Sequence, residues 1–299
     1  MAGSKMHEDE VETDAGLVAR LLAAQFPKWA SLPIEPVPSA GTDNALYRLG
    51  SNMAVRMPRI DWAVNAVDRE HQWLAKIAPF LPVAIPTALG KGEPGEGYPY
   101  PWSVYPWLEG ESPVVGQLAD PDGLADDLAR FVLALQAVDS TSGPRGGRGV
   151  PLERRESPTR AAIRALQGTV ATAAVTSAWE AALEVPAWSG PPVWAHGDLS
   201  PGNLLLRDGR LNAVIDFGTL GIGDPAVDLI VAWNLLPVDT RAVYRSALKV
   251  DDATWLRGRG WALSIALIQL PYYHQTNPVL AENARYVIAE VLADVQRTG

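Results

Sequence analysis

One stretch constrains this chain more than any other. His196-Gly197-Asp198-Leu199-Ser200-Pro201-Gly202-Asn203 runs into three leucines, then a turn at Asp208-Gly209, then Ile215-Asp216-Phe217-Gly218. Asp-Gly between two apolar runs is a strong hairpin signal. A hairpin there returns Asp216 to the loop that carries Asp198 and Asn203. Two carboxylates and an amide gathered in one place suit magnesium, a hard cation that prefers oxygen and retains some water. The spacing, five residues from Asp198 to Asn203 and 18 from Asp198 to Asp216, matches H-x-D-x4-N followed by D-F-G. In that pattern the first aspartate accepts the proton of an attacking hydroxyl, and the asparagine and second aspartate hold metal against nucleotide phosphates. Taken alone, Asp198 and Asn203 would read as ordinary turn residues beside Pro201 and Gly202. The D-F-G across a hairpin makes the chemical reading the stronger one.

Around this stretch the chain divides by pattern. Asp14 or Thr13 caps an expected helix bearing Leu17, Val18, Leu21 and Leu22. Residues 34–37, 45–49 and 53–57 read as antiparallel strands, a helix is expected over 61–79, and strands over 85–90 and 98–107. From residue 112 the pattern is mainly helical, at 120–138, at 158–183 and to the C-terminus. The stretch 142–149, SGPRGGRG, reads as a mobile loop. Asp224 and Pro225 open a helix as cap and first residue. The expected architecture is α+β and bilobal: residues 1–107 a small β-rich lobe, residues 108–299 a larger helical lobe with one hairpin. At 299 residues, two lobes are the natural division.

Composition excludes several classes. There is no cysteine, so thiolate nucleophiles, Cys-zinc sites and iron–sulfur clusters are impossible. Four separated histidines form no His-x3-His pair. A net charge of −9 disfavours a large basic face for nucleic acid. No run approaches the ~18 apolar residues of a membrane span. The acidic N-terminus is not a signal peptide. A cytoplasmic protein is expected, a monomer or dimer.

The small lobe should supply a cation for phosphates. None of the five lysines falls in a suitable strand, but Arg56 does, within Met53-Ala54-Val55-Arg56. Glu70 lies on the apolar face of the next helix, where a carboxylate is costly unless paired. An Arg56–Glu70 pair is therefore expected. Ser39 to Asn44, with Gly41 and Thr42, offers a phosphate-covering loop, though an ordinary β-turn explains it equally. Tyr105 and Trp107 lie on the expected connector between lobes, where they stack on a base or pack in the core. Gly90-Lys91-Gly92-Glu93-Pro94-Gly95 fits G-x-G-x-x-G, but Pro94 and Pro99 forbid the helix a dinucleotide fingerprint needs. It reads as a hairpin loop. His196 reads as a loop-shaping ring, Asp224 as a cap, and Asp228 as a brace for catalytic-loop amides. Trp233, Asn234, Tyr272, Tyr273 and His274 are candidates for acceptor contacts, and helix packing accounts for them equally.

These segments, GTDNALYRLG, MAVRMPR, VDREHQWLAKIAPFLPVAIP, WSVYPWLEGE, HGDLSPGNLLL, IDFG and GDPAVDL, stand in the order of the aminoglycoside phosphotransferase family. The chain resembles that family, small-molecule kinases with a protein-kinase-like fold, over roughly residues 33–240. The resemblance implies a nucleotide between two lobes and a substrate on the helical one. It implies Asp198 as base, Asn203 and Asp216 as Mg²⁺ ligands, and Arg56 where many members carry lysine, a feature also of the macrolide branch. The implied reaction moves the γ-phosphoryl of ATP or GTP to a hydroxyl of a small molecule, an aminoglycoside, macrolide or nucleoside antibiotic. A metabolic alcohol kinase and a nucleotide-binding pseudokinase are the alternatives.

Overall fold

The computed structural model describes residues 10–38 and 43–298. Its N-terminal part is an antiparallel five-stranded sheet ordered β1-β2-β3-β5-β4. The strands are β1 (Ile34–Pro36), β2 (Asn44–Leu49), β3 (Met53–Pro58), β4 (Gly90–Gly92) and β5 (Trp102–Pro106). Helix α1 (Ala15–Gln25) is capped by Asp14, which accepts from Leu17 N at 2.6 Å. It covers one sheet face. Leu17, Val18, Leu21 and Leu22 pack there against Tyr47, Leu49, Met53, Val55, Met57, Trp102 and Val104. Because successive strand residues point to opposite faces, Arg56, which pairs with Leu46 and Ser103, looks the other way, toward α2 (Val64–Ile77).

Helix α2 has two allegiances. Glu70 turns to the sheet, whereas Trp73, Leu74 and Ile77 join the large core of the helical part, with Trp73 at 4.9 Å from Trp194. That core is built by α3 (Pro121–Gln136), α4 (Glu156–Ala165), α5 (Thr172–Leu183), α6 (Val231–Asn234), α7 (Val238–Leu248), α8 (Asp252–Tyr273) and α9 (Pro278–Thr298). Two small two-stranded sheets stand at its edge. One pairs β6 (Val193–Ala195) with β9 (Gly221–Gly223), and the other is the hairpin of β7 (Leu204–Arg207) and β8 (Arg210–Val214). Asp208 and Gly209 both take positive φ, 52° and 76°, the turn geometry that matches strand twist.

Three expectations need correction. The strand expected at 85–90 forms only at Gly90–Gly92, and the one at 98–107 shrinks to 102–106. Pro82 and Pro86 lack the donors a ladder needs, and this segment instead crosses to the hairpin, where Ala84 bridges Ala213. The G-x-G-x-x-G segment is half strand, half turn. A Cβ on Gly92 would lie 2.0 Å from the Trp102 indole, so the glycine is steric. Finally, Asp224 and Pro225 open a 3₁₀ stretch, Pro225–Ile230, before α6 begins. Among the described residues no helix is long and apolar enough to cross a membrane.

Candidate active site

The loop between β6 and β7 is held from below by buried groups. His196 N and Gly197 N donate to the two carboxylate oxygens of Asp228, at 2.9 and 2.6 Å. Burial pushes the Asp228 carboxyl above the usual range, against the opposing pull of His196 and these amides. The His196 ring accepts from Asp198 N through Nδ1 (3.1 Å), so its Nε2–H faces Ile215 O at 3.0 Å. This histidine shapes the loop from inside it, fully buried against Phe217. Asn234 donates to Leu199 O at 2.8 Å, and Thr219 to His196 O at 2.6 Å.

Asn203 ties the loop to itself and to the hairpin. Its amide nitrogen donates to the Asp198 carbonyl (2.9 Å) and to Asp198 Oδ2 (3.2 Å). Its backbone carbonyl accepts from Ile215 N at 2.9 Å. Asp216 is thereby the residue immediately after a direct bond to Asn203. Its φ of 59° is a left-handed conformation that aspartate tolerates better than most residues.

Asp216 is in turn joined to the sheet. Arg56 donates to Asp216 Oδ1 and, at 2.5 Å, to Glu70 Oε1. Tyr105 donates its hydroxyl to the other Glu70 oxygen. Glu70 is buried, so every oxygen of its carboxylate is answered, as a buried charge requires. Burial would lower the Arg56 pKa, but Asp216 and then Glu70 hold it above its ordinary value. Burial would raise the Asp216 carboxyl, but Arg56, His196 and the Gly218 amide hold it below the carboxylate range.

Two arginines completing this centre carry no sequence signature. Arg69, one residue before Glu70, donates to Gly218 O at 2.8 Å. Arg148 donates through Nη1 to Asp198 Oδ1 and, at 2.8 Å, to Gly197 O. Arg148 belongs to the stretch expected as a mobile loop. That stretch is bonded down instead: Ile222 N donates to Pro144 O and Asp224 N to Gly149 O, both at 2.8 Å. The signal that could have found it is its glycine content. A Cβ on Gly221 would come within 2.4 Å of Gly146, and one on Gly223 within 2.4 Å of Gly149 O.

Other candidates fall differently. Gly41 and Thr42 lie outside the described residues. The Tyr105 side chain turns to Glu70, and Trp107 lies under Arg48, whose guanidinium is 4.0 Å from the ring. Trp233 is core, packed on Trp255 at 4.7 Å. Asn234 braces the loop between β6 and β7 through Leu199 O. Tyr272 and Tyr273 form an edge-on pair at the end of α8, and His274 is exposed. Asp224 caps Ala226 N and pairs with buried Arg257 at 2.7 Å.

Among the described residues no three His, Cys, Asp or Glu side chains converge to hold a metal alone. Asn203 and Asp216 offer a smaller set. With the Asn203 side-chain nitrogen committed to Asp198, its Oδ1 is left as the acceptor atom of that side chain, on a residue whose backbone is bonded to Ile215, the neighbour of Asp216. One amide oxygen and one carboxylate fit a small hard cation that completes its shell with phosphate and water.

The model of a family described as the phosphotransferase enzyme family matches residues 34–261, most of the chain. The chain belongs to that family. The matched span of this phosphotransferase-family chain contains Arg56, Glu70, Arg148, Asp198, Asn203, Asp216 and Asp228. An aminoglycoside 3′-phosphotransferase of Escherichia coli is 43% identical over 58 residues, 19% of this chain and 21% of that protein. One from Salmonella typhimurium is 37% identical over 62 residues, 21% of this chain and 23% of that protein. The chain thus matches about a fifth of the length of these curated relatives. Among solved structures, the GDP and kanamycin complex of APH(2″)-IIIa superposes with a TM-score of 0.75 at 19% identity, covering 93% of this chain and 98% of that one. The macrolide 2′-phosphotransferase MphH from Brachybacterium faecium superposes with a TM-score of 0.64 at 23% identity, covering 92% and 98%. At these identities the likeness is one of fold.

Proposed function

We propose that this protein transfers the γ-phosphoryl group of ATP or GTP to a hydroxyl of a small molecule, an antibiotic of the aminoglycoside, macrolide or nucleoside kind. The observation that carries this reading is the chain of contacts Asp198–Asn203–Ile215, Asp216–Arg56–Glu70. It links a carboxylate able to take a proton to a carboxylate and a cation able to manage phosphate charge. In this reading residues 1–107 and 108–299 form the two lobes, the nucleotide lies between them, and the acceptor rests on the helical side. GDP-bound and ADP-bound relatives of the same fold support the nucleotide.

Asp198 orients the acceptor hydroxyl and takes its proton as the oxygen–phosphorus bond forms. Arg56, kept on station by Glu70, meets the phosphate oxygens, and a guanidinium can do so bidentately. Gly41 and Thr42 cover the phosphates, and the backbone around Tyr105 and Trp107 meets the base. Mg²⁺, held by Asn203 and Asp216, would supply neutralisation of the charge on the transferring phosphates. Catalysis of this kind is mostly positioning and electrostatics. Since the phosphoryl donor is a cytoplasmic metabolite, the reading places the protein in the cytoplasm.

The test is magnesium-dependent phosphorylation of a panel of hydroxyl-bearing antibiotics by the purified chain, with Asp198→Ala alongside. Transfer in the wild type and its loss in the variant is the expected result. Undiminished turnover by Asp198→Ala would remove the base assignment.

A further inference from the structure

The proposed base is held by more than its own loop. Asp198 Oδ2 receives the Asn203 amide, and Oδ1 receives Arg148 from a separate segment some 50 residues away. Arg148 also binds the carbonyl of Gly197, next to Asp198, so its guanidinium fixes both the carboxylate and the peptide that carries it. The segment delivering it is pinned to β9 at Pro144 and Gly149 by hydrogen bonds, through glycine contacts that leave no room for side chains.

We infer that Arg148 is a positioning residue for phosphoryl transfer, clamping Asp198 by Oδ1 so that the remaining lone pair of Oδ2 meets the acceptor hydroxyl. The inference rests on Asp198 being the base. The step it serves is balanced: the acceptor O–H proton passes to Oδ2, the acceptor oxygen bonds to the γ-phosphorus, and the bond to the leaving nucleoside diphosphate oxygen breaks with its electron pair. Arg148 takes no proton. It keeps the carboxylate within reach of that hydroxyl, and a misplacement of an ångström at such a centre costs about 100-fold in rate.

The experiment compares Arg148→Met, Arg148→Lys, Asp198→Ala and the double variant Asp198→Ala/Arg148→Met, using the best acceptor of the panel with magnesium and nucleotide. Arg148→Met should lower kcat about 100-fold, with the nucleotide KM within about 3-fold of wild type, because the nucleotide contacts lie with Arg56 and Asp216. Arg148→Lys should restore part of that loss. The double variant should be no slower than Asp198→Ala alone, since residues acting as one unit are not additive. If Arg148→Met does not fold, Arg148→Lys carries the same comparison, with a fall in kcat at constant nucleotide KM expected. A kcat within about 3-fold of wild type in both Arg148 variants, or losses that multiply with Asp198→Ala, overturns the inference. Full activity in Asp198→Ala instead overturns the base assignment beneath it.

Discussion

Arg56 and Asp216, 160 residues apart in the chain, share a hydrogen bond that joins the sheet to the end of the hairpin. The same guanidinium reaches buried Glu70. Arg56→Ala would leave that carboxylate unpaired, and breaking a buried pair costs about 3–5 kcal/mol. Urea unfolding should register a loss of that order, and the nucleotide KM should rise. Arg56→Lys keeps the charge but cannot span both carboxylates with one ammonium. It should lose less stability than Arg56→Ala while still raising the nucleotide KM.

Asp216 and Asp228 should leave opposite marks on the pH dependence of stability. Asp216 is held below the carboxylate range in the folded chain. Its contribution is complete above the unfolded value of about 3.9 and is lost as pH falls beneath it. The stability advantage of wild type over Asp216→Asn should therefore shrink as pH drops below about 4. Asp228 is raised by burial. Its contribution is complete below the unfolded value and declines as pH rises from there through the folded one, so wild type should lose stability relative to Asp228→Asn over that window. Urea titrations of the three proteins between about pH 3 and pH 6 separate the two signs.

Asp228→Asn also tests the loop brace. Both oxygens of Asp228 accept backbone N–H groups, and an asparagine offers only one acceptor. One buried N–H would face an amide N–H, at a cost of about 1–3 kcal/mol. A lower melting temperature together with a reduced kcat is expected. A variant that melts early but turns over normally would show that Asp228 supports the fold without shaping the loop.

Gly221→Ala should act at a distance. The added methyl would press on the Gly146 backbone, and overpacking costs about 1–3 kcal/mol. The segment 142–149 must lift, taking Arg148 off Asp198. The expected outcome is a folded protein whose kcat falls further than its nucleotide KM changes, measured by steady-state kinetics beside a thermal melt.

Asp224 and Arg257 pin the 3₁₀ stretch to α8 with both side chains about 5% exposed. Arg257→Met strands the carboxylate and should cost about 3–5 kcal/mol in urea unfolding. Asp224→Asn/Arg257→Met should recover part of that loss, because the uncompensated charge is gone.

Local chemistry is what the sequence determined by itself. The extended pattern of short apolar runs placed β2 and β3, Thr13 or Asp14 announced the start of α1, and Asp208-Gly209 announced the hairpin, each through interactions a few residues long. The fold class followed from the same patterns, with the motif order placing the chain beside its relatives. Even the Arg56–Glu70 pair was legible, because a carboxylate on an apolar helix face must find a cation. The tertiary structure alone decided the rest. It bonded 142–149 to β9, brought Arg148 to Asp198 and Arg69 to Gly218, turned Tyr105 toward Glu70, and set Ala84 against Ala213 of the hairpin while the strand expected at 85–90 formed only at Gly90–Gly92. Those outcomes depend on contacts between segments tens of residues apart, whose partners no local periodicity encodes. An arginine in a glycine-rich stretch looks the same in sequence whether it ends in water or on a carboxylate, and only the packing around it tells them apart.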